Sequence, residues 1–464
     1  RKLYLIEGYA KAIAARMAAE DDAAVICAFS VSNYENALDA LLTAAAPETP
    51  LKRLRRNGLP QQVFVLVADN DKAGRESAEK LLAAYPFLTV TFADAPCKDA
   101  DDLLRFGGVQ EVREMLQRAS RRLSDRYILL QPQQYLSDAE IPLQNGLQWL
   151  IGDTGLGKTE YVKRYAERHP DEMTILASPV TAICEQTHHD LTRRGAAHQT
   201  VMEGAEMRYD VAGLTITTYA SLARKFNPNN ALYPITQFID EAHLLSSDVF
   251  RQADIARLYD LMPQMRRAVL MTATPHFTHC NGLQHAPRIF VRQIGRPLTP
   301  VRQLWYPASE FAVIQHFAQR GRLVVEMNSK KGMRKMQKLL ERRGFRGVYL
   351  INADVKRLPT GAYRYIVEHE TLPADCQILL TTKLAETGIN IRDNDVATLL
   401  IFAPKPLEIH GRPTAVPLPH DIKQMSNRFR GTRPAVFLCL PDGVDREKDA
   451  AFDGGREYAR LRRK

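Results

Sequence analysis

Leu147-Gln148-Trp149-Leu150-Ile151-Gly152-Asp153-Thr154-Gly155-Leu156-Gly157-Lys158-Thr159 sets the fold class of this chain. An apolar run predicts a strand over 147–151, and residues 160–168 continue with helix-forming side chains. Between them, Gly152 to Thr159 fits G-x-x-x-x-G-K-[ST]. In such a loop Gly152, Thr154, Gly155 and Gly157 let backbone N–H groups turn toward phosphates, Lys158 reaches the β/γ-phosphates, and the Thr159 hydroxyl ligates Mg²⁺. The helix that follows points the positive end of its dipole at the same charge. Downstream stands Ile239-Asp240-Glu241-Ala242-His243. Asp240 closes an apolar strand and so emerges at the sheet edge, where a carboxylate holds Mg²⁺, and Glu241 is placed to polarise an attacking water. Alone, an Asp-Glu pair is usually a solvated helix start. Paired with the upstream loop, it predicts one site for ATP hydrolysis.

Outward from these stretches the chain has the length for two to four domains at 464 residues. No apolar run approaches the roughly 18 residues of a membrane span, so no membrane role is expected. No secretory signal is recognisable, and the sequence opens at Arg1 rather than Met, as a trimmed product would. Cys27, Cys97, Cys184, Cys280, Cys376 and Cys439 are scattered without a C-x-x-C pair, which predicts reduced thiols and a cytoplasmic protein. Charge is uneven. Residues 1–120 hold 15 Lys and Arg against 17 Asp and Glu, while 121–464 hold 48 against 36, a net of +12. A basic C-terminal two-thirds suits a polyanion, because each neutralised phosphate releases counterions; a solvated basic surface is the plainer reading.

Residues 1–120 alternate short apolar strands, at Lys2–Ile6 and Val63–Ala68, with Ala-rich helical stretches over 10–19 and 73–84. Residues 120–145, polar and carrying two prolines, read as a linker. A second α/β series fills 170–295, two prolines within 295–300 mark a hinge, and a third series has strands over 322–327, 377–381 and 397–402. Residues 403–419 read as a proline-rich loop. Such alternation implies parallel sheets covered on both faces.

With its neighbours, Asp240-Glu241-Ala242-His243 resembles motif II of superfamily 2 helicases of the DEAH type. Thr272-Ala273-Thr274 resembles motif III, and Ala177-Ser178-Pro179 with the following helix resembles motif Ia. Thr217-Thr218-Tyr219-Ala220-Ser221-Leu222 is similar to a backbone-contact segment. Thr381-Thr382-Lys383-Leu384-Ala385-Glu386-Thr387-Gly388-Ile389-Asn390 resembles motif V, and Gln424-x-x-x-Arg428-x-Arg430 motif VI. The resemblance spans about 140–445. It implies ATP and Mg²⁺ as cofactors and Glu241 as the water-activating residue. It further implies Arg428, with Arg430 or Arg433 assisting, as the finger that stabilises transition-state charge. His243, Thr272, Thr274, Thr218, Thr382 and Gln424 then couple hydrolysis to nucleic-acid contact. Motif VI departs from Q-R-x-G-R-x-x-R at Asn427 and in its early second arginine. The compact form is similar to viral origin-binding helicases and tilts the expected partner to single-stranded or forked DNA.

Three acidic groups punctuate the N-terminal third: Glu7-Gly8, then Asp69-Asn70-Asp71-Lys72-Ala73-Gly74, then Asp99-Ala100-Asp101-Asp102. At the C-terminal ends of parallel strands they would converge, and clustered carboxylates call for a divalent ion. Capping aspartates on three unrelated turns are the bland alternative. E-G, D-x-D-x-A-G and D-x-D together resemble the TOPRIM domain, most of all the primase type of phages and mobile plasmids. That resemblance implies Mg²⁺, or Mn²⁺, held by Glu7, Asp69, Asp71, Asp99 and Asp101, with Glu7 catalytic. Glu7-Gly8-Tyr9-Ala10-Lys11 lacks the acidic residue many primases carry shortly after E-G. Glu7 also lies near the start of the sequence, ahead of which bacterial-type primases carry a basic subdomain and often a zinc module.

The expected architecture is α/β: a TOPRIM domain over 1–120, a linker over 121–145, two tandem RecA-like parallel-sheet domains over 146–296 and 297–445, and a basic tail over 446–464. The expected function is an ATP-dependent DNA helicase or translocase with a primase-like module, working with other replication proteins of a phage, plasmid or other mobile element. A metal-dependent TOPRIM nuclease in defence or repair, and a motor carrying a non-catalytic TOPRIM scaffold, are the alternatives. His276, His279, Cys280 and His285 do not complete a zinc set. Trp149 and Trp305 read as packing residues, and Tyr219 and Phe429 as candidates to touch nucleic acid.

Overall fold

Apolar and polar residues alternate into α/β layers throughout. The computed structural model describes residues 1–59, 61–202, 204–210, 212–247, 252–273, 283–295, 301–306, 309–327, 329–352, 361–382, 390–402, 408–409, 412–413, 425, 428–429 and 434–441. The chain divides into two units, one of residues 1–156 with 281–296 and one of 157–280 with 297–464.

In the first unit, strands Ala24–Cys27, Lys2–Ile6, Val63–Ala68 and Thr89–Phe92 lie side by side in that order, all parallel. Period-two alternation sends Phe64, Leu66 and Ala68 to one face and Val65 and Val67 to the other. The first face is covered by Leu38, Leu42, Leu81 and Leu82, the second by Ala14, Leu103, Val112 and Met115. Both faces are therefore dry, which is why these strands read as unbroken apolar runs. Residues 121–145, read as a linker, contain the strand Arg126–Leu130. It pairs in parallel with Arg288–Gln293, which pairs in turn with Gly146–Gly152. Backbone bonds from Ala95 N to Tyr127 O (2.8 Å) and Leu129 N to Ala95 O (2.7 Å) tie this strand to the N-terminal layer.

In the second unit, strands Arg267–Thr272, Ile235–Ile239, Met173–Ser178, Gly213–Thr218 and His198–Val201 are neighbours in that order and parallel. A six-stranded parallel sheet has the order Val301–Tyr306, Ala435–Pro441, Val396–Phe402, Arg322–Met327, Ile378–Thr381, Val348–Ile351. These are RecA-like parallel-sheet layers, as the alternation predicts. Ala182, on helix Thr181–Arg193, shares one apolar cluster with Ile351, Tyr363, Ile366, Met425 and Phe429. That cluster joins the two sheets of this unit and buries Phe429, so its ring is a core group and not a base platform. Among the described residues no helix is long and apolar enough to cross a membrane.

Candidate active site

The phosphate loop leaves strand Gly146–Gly152 and enters helix Lys158–Arg168. Gly155 (φ 79°) and Gly157 (φ 87°) are left-handed, a conformation a Cβ would strain, so the turn needs glycine at both. Gly152 packs tightly: a Cβ there would come within 3.2 Å of Leu156 Cδ1. Tyr161 N donates to Gly157 O at 2.8 Å and starts the helix, whose positive dipole end faces the loop. Lys158 is buried.

Asp240 and Glu241 follow the fully buried strand Ile235–Ile239. Asp240 N donates to Ala177 O (2.8 Å) and Ala242 N to Met271 O (2.8 Å), which pins the acidic pair between two neighbouring strands. Glu241 has φ 51°, rare outside glycine, and strain of this kind persists only where surrounding structure imposes it. Its N–H donates to Asp240 Oδ1 at 3.1 Å. The Tyr219 hydroxyl donates to the Asp240 carbonyl, so Tyr219 is a buried support for the acidic turn rather than a nucleic-acid contact.

Arg428 Nη2 donates to Glu241 Oε1 at 3.0 Å. His243 Nδ1 lies 3.2 Å from Thr272 Oγ1 and 3.6 Å from Glu241 Oε2. The two adjacent acids are thereby driven apart. Burial first, and the Glu241 charge second, raise the Asp240 carboxyl above its ordinary range. Burial also pushes Glu241 up, but Arg428, His243 and Lys158 outweigh it and hold Glu241 low. An ionised carboxylate at Glu241 suits polarising a water. A desolvated carboxylate at Asp240, with the Thr159 hydroxyl in the first helical turn, forms an oxygen donor set that fits Mg²⁺.

Other residues expected here are distributed differently. Thr218 caps helix Tyr219–Lys225, its Oγ1 accepting from Ser221 N at 3.1 Å. Thr382 N donates to Ile351 O at 3.3 Å, and Asn390 Nδ2 to Gln186 Oε1 at 3.4 Å. Trp149 is buried, its Nε1 donating to Leu283 O at 2.8 Å. Thr274, residues 383–389, Gln424, Arg430, Arg433, His276, His279, Cys280, the Trp305 side chain and the tail over 446–464 lie outside the described residues.

In the first unit the strand ends bring Glu7, Asp69 and Asp99 together around an ammonium group. Lys11 Nζ is 3.0 Å from Glu7 Oε2, 2.7 and 2.8 Å from the two Asp69 oxygens and 3.7 Å from Asp99 Oδ2. Lys98 Nζ is 3.2 Å from Asp71 Oδ2 and 3.6 Å from Asp69 Oδ2. Asp71 and Asp99 also cap helices: Gly74 N donates to Asp71 Oδ1 (2.8 Å), and Asp101 N and Asp102 N to Asp99 Oδ1 (3.0 and 2.9 Å). Asp101 pairs with Arg105, beyond the Lys11 group. Gly74 is required, since a Cβ would run into the Asp69 carbonyl. Burial raises the Asp69 carboxyl, against the opposing pull of Lys11. Among the described residues no three His, Cys, Asp or Glu side chains are arranged to hold a metal ion. As arranged, the cluster does not fit one, because Lys11 Nζ stands where the oxygens converge.

Residues 134–281 match the DEAD/DEAH box helicase family model. The matched stretch holds Lys158, Asp240, Glu241, His243 and Thr272; Arg428 lies beyond it. No curated protein matches the chain. Its fold is similar to that of S. cerevisiae Dbp5 bound to RNA and ADP BeF3, with a TM-score of 0.51 at 15% identity over 67% of this chain and 83% of that one. A point variant of Dbp5 bound to RNA and ADP BeF3 gives a TM-score of 0.49 at 15% identity over the same shares. At this identity the likeness is one of fold.

Two roles at these sites were not read from sequence. Tyr219 supports the acidic turn through its hydroxyl, and no local pattern announces that bond. Lys11 had a signal: Glu7 and Lys11 form an i,i+4 pair across a helix start.

Proposed function

We propose that this chain is an ATP-driven DNA helicase or translocase that serves replication of a phage, plasmid or other mobile element alongside other replication proteins. The contact that carries the reading is Arg428 to Glu241 at 3.0 Å, which sets an arginine from beyond the helicase domain on the carboxylate best placed to activate water. A finger of this type stabilises charge on a transferring phosphoryl group, and a carboxylate held ionised beside it orients the attacking water. Lys158 binds the phosphates, and Mg²⁺, when bound at Thr159 and Asp240, neutralises their charge. His243 against Thr272 supplies a link from the hydrolytic turn to the next strand.

The net +12 on 121–464 supports a polyanionic partner, and the compact Q-x-x-x-R-x-R arrangement, similar to viral origin-binding helicases, favours DNA over RNA. A four-stranded parallel sheet with acidic residues at its strand ends supports reading the N-terminal unit as similar to a primase-type TOPRIM domain. The test is ATP hydrolysis and strand displacement with Mg²⁺ on forked DNA, single-stranded DNA and RNA of matched sequence. The reading requires stimulation by DNA exceeding that by RNA, and displacement of a duplex strand only with hydrolysable ATP. Stimulation by RNA alone would reassign the substrate.

A further inference from the structure

We propose that Lys11 is the built-in cation of the N-terminal unit, standing where a TOPRIM-type carboxylate cluster takes a divalent metal, so that this unit neither cuts nor primes by metal-dependent chemistry. Lys11 lies in the first turn of helix Tyr9–Ala18, which starts directly after Glu7-Gly8. From there its ammonium reaches carboxylate oxygens from three strand ends: Glu7 after Lys2–Ile6, Asp69 after Val63–Ala68 and Asp99 beyond Thr89–Phe92. The side chain is 18% exposed, and that of Asp69 is 8% exposed. Lys11 Nζ, 2.7–3.0 Å from Glu7 Oε2 and both Asp69 oxygens, occupies the point that a metal shared by those oxygens would need. A divalent ion draws its oxygens to 2.0–2.6 Å, so it would have to expel Lys11 from a pocket that already balances its charge. Lys98 adds a second ammonium beside Asp71 and Asp69. This concerns the N-terminal unit alone; the motor stands or falls separately, on Lys158 and Glu241.

The experiment is Mn²⁺ binding to the full chain without nucleotide, read from the free-ion paramagnetic resonance signal. Wild type, Asp69→Asn, Lys11→Ala, Lys11→Gln and the double variant Lys11→Gln/Asp69→Asn are compared. Wild type and Asp69→Asn are expected to bind the same amount. Each folded Lys11 variant should gain one Mn²⁺ per chain, and the double variant should lose that gain. Wild type binding one more ion than Asp69→Asn overturns the proposal, as does a folded Lys11 variant that gains none. Should both Lys11 variants fail to fold, the comparison of wild type with Asp69→Asn decides alone.

Discussion

Arg428 Nη2 donates to Glu241 Oε1 at 3.0 Å across 187 positions of sequence, with both side chains buried. A guanidinium in this place does two things. It holds the glutamate carboxyl low against the pull of burial, and it stands beside the acidic turn where, on the proposed function, phosphoryl charge would develop.

Removing the guanidinium therefore removes both effects. Arg428→Ala is expected to lower the rate of DNA-stimulated ATP hydrolysis by about 10³-fold while nucleotide affinity changes little. Arg428→Lys should not rescue it, because an ammonium is a point charge without the planar fork. Steady-state hydrolysis set beside equilibrium binding of a fluorescent ATP analogue separates the two quantities. Equal losses in both would make Arg428 a binding residue only.

Glu241→Gln keeps the shape and hydrogen-bonding reach of the side chain but cannot accept a proton. Hydrolysis should fall by about 10²–10⁴-fold with ATP binding intact, giving a complex that holds ATP and DNA together. Single-turnover hydrolysis and gel retardation on the same sample check this. A variant that hydrolyses normally would mean another group activates the water.

Asp240 makes stability depend on pH in a definite direction. Its folded carboxyl is raised, to about 6, above the ordinary 3.8. Between those values the folded state binds more protons than the unfolded chain, so stability falls as pH rises through the window and levels off above it. Asp240→Asn lacks this titration. The nucleotide-free variant should gain on wild type, by on the order of 2 kcal/mol, as pH goes from 4 to above 6. Urea unfolding at a series of pH values reads the difference, and a constant offset across the window would contradict it.

In the first unit Asp94 is fully buried and paired with Arg118 and Arg292, and Arg292 also meets Glu111 at 2.9 Å and Glu114. Arg292→Met leaves three carboxylates short of a cation. Because Arg292 is 26% exposed, the loss is expected at about 1–3 kcal/mol, below that of a wholly buried pair. Thermal unfolding of the variant should show it, and a Glu114→Gln change, at a more exposed partner, should cost less.

The chemistry-bearing turns were legible because their signals are local. A Gly-rich loop between strand and helix, and an Asp-Glu pair ending a buried strand, need no knowledge of distant residues. The alternation of apolar runs likewise announced parallel sheets covered on both faces. What escaped reading depends on side-chain reach across the fold. Arg126–Leu130 is short and sits among polar and proline residues, so its apolar run read as linker until Arg288–Gln293 supplied its partner strand. Tyr219 and Phe429 read as nucleic-acid contacts from the stretches they occupy, yet both are buried. The convergence of Glu7, Asp69 and Asp99 followed from strand order, whereas the cation at their centre is a matter of where Lys11 can extend.

The claim on which the rest depends is that one ATP site drives this chain along DNA. ATP turnover with and without single-stranded DNA, in wild type and Lys158→Ala, measures it most directly. The account predicts marked stimulation of wild type by DNA and loss of hydrolysis in the variant. Turnover indifferent to DNA, or a variant that hydrolyses as well as wild type, would contradict it.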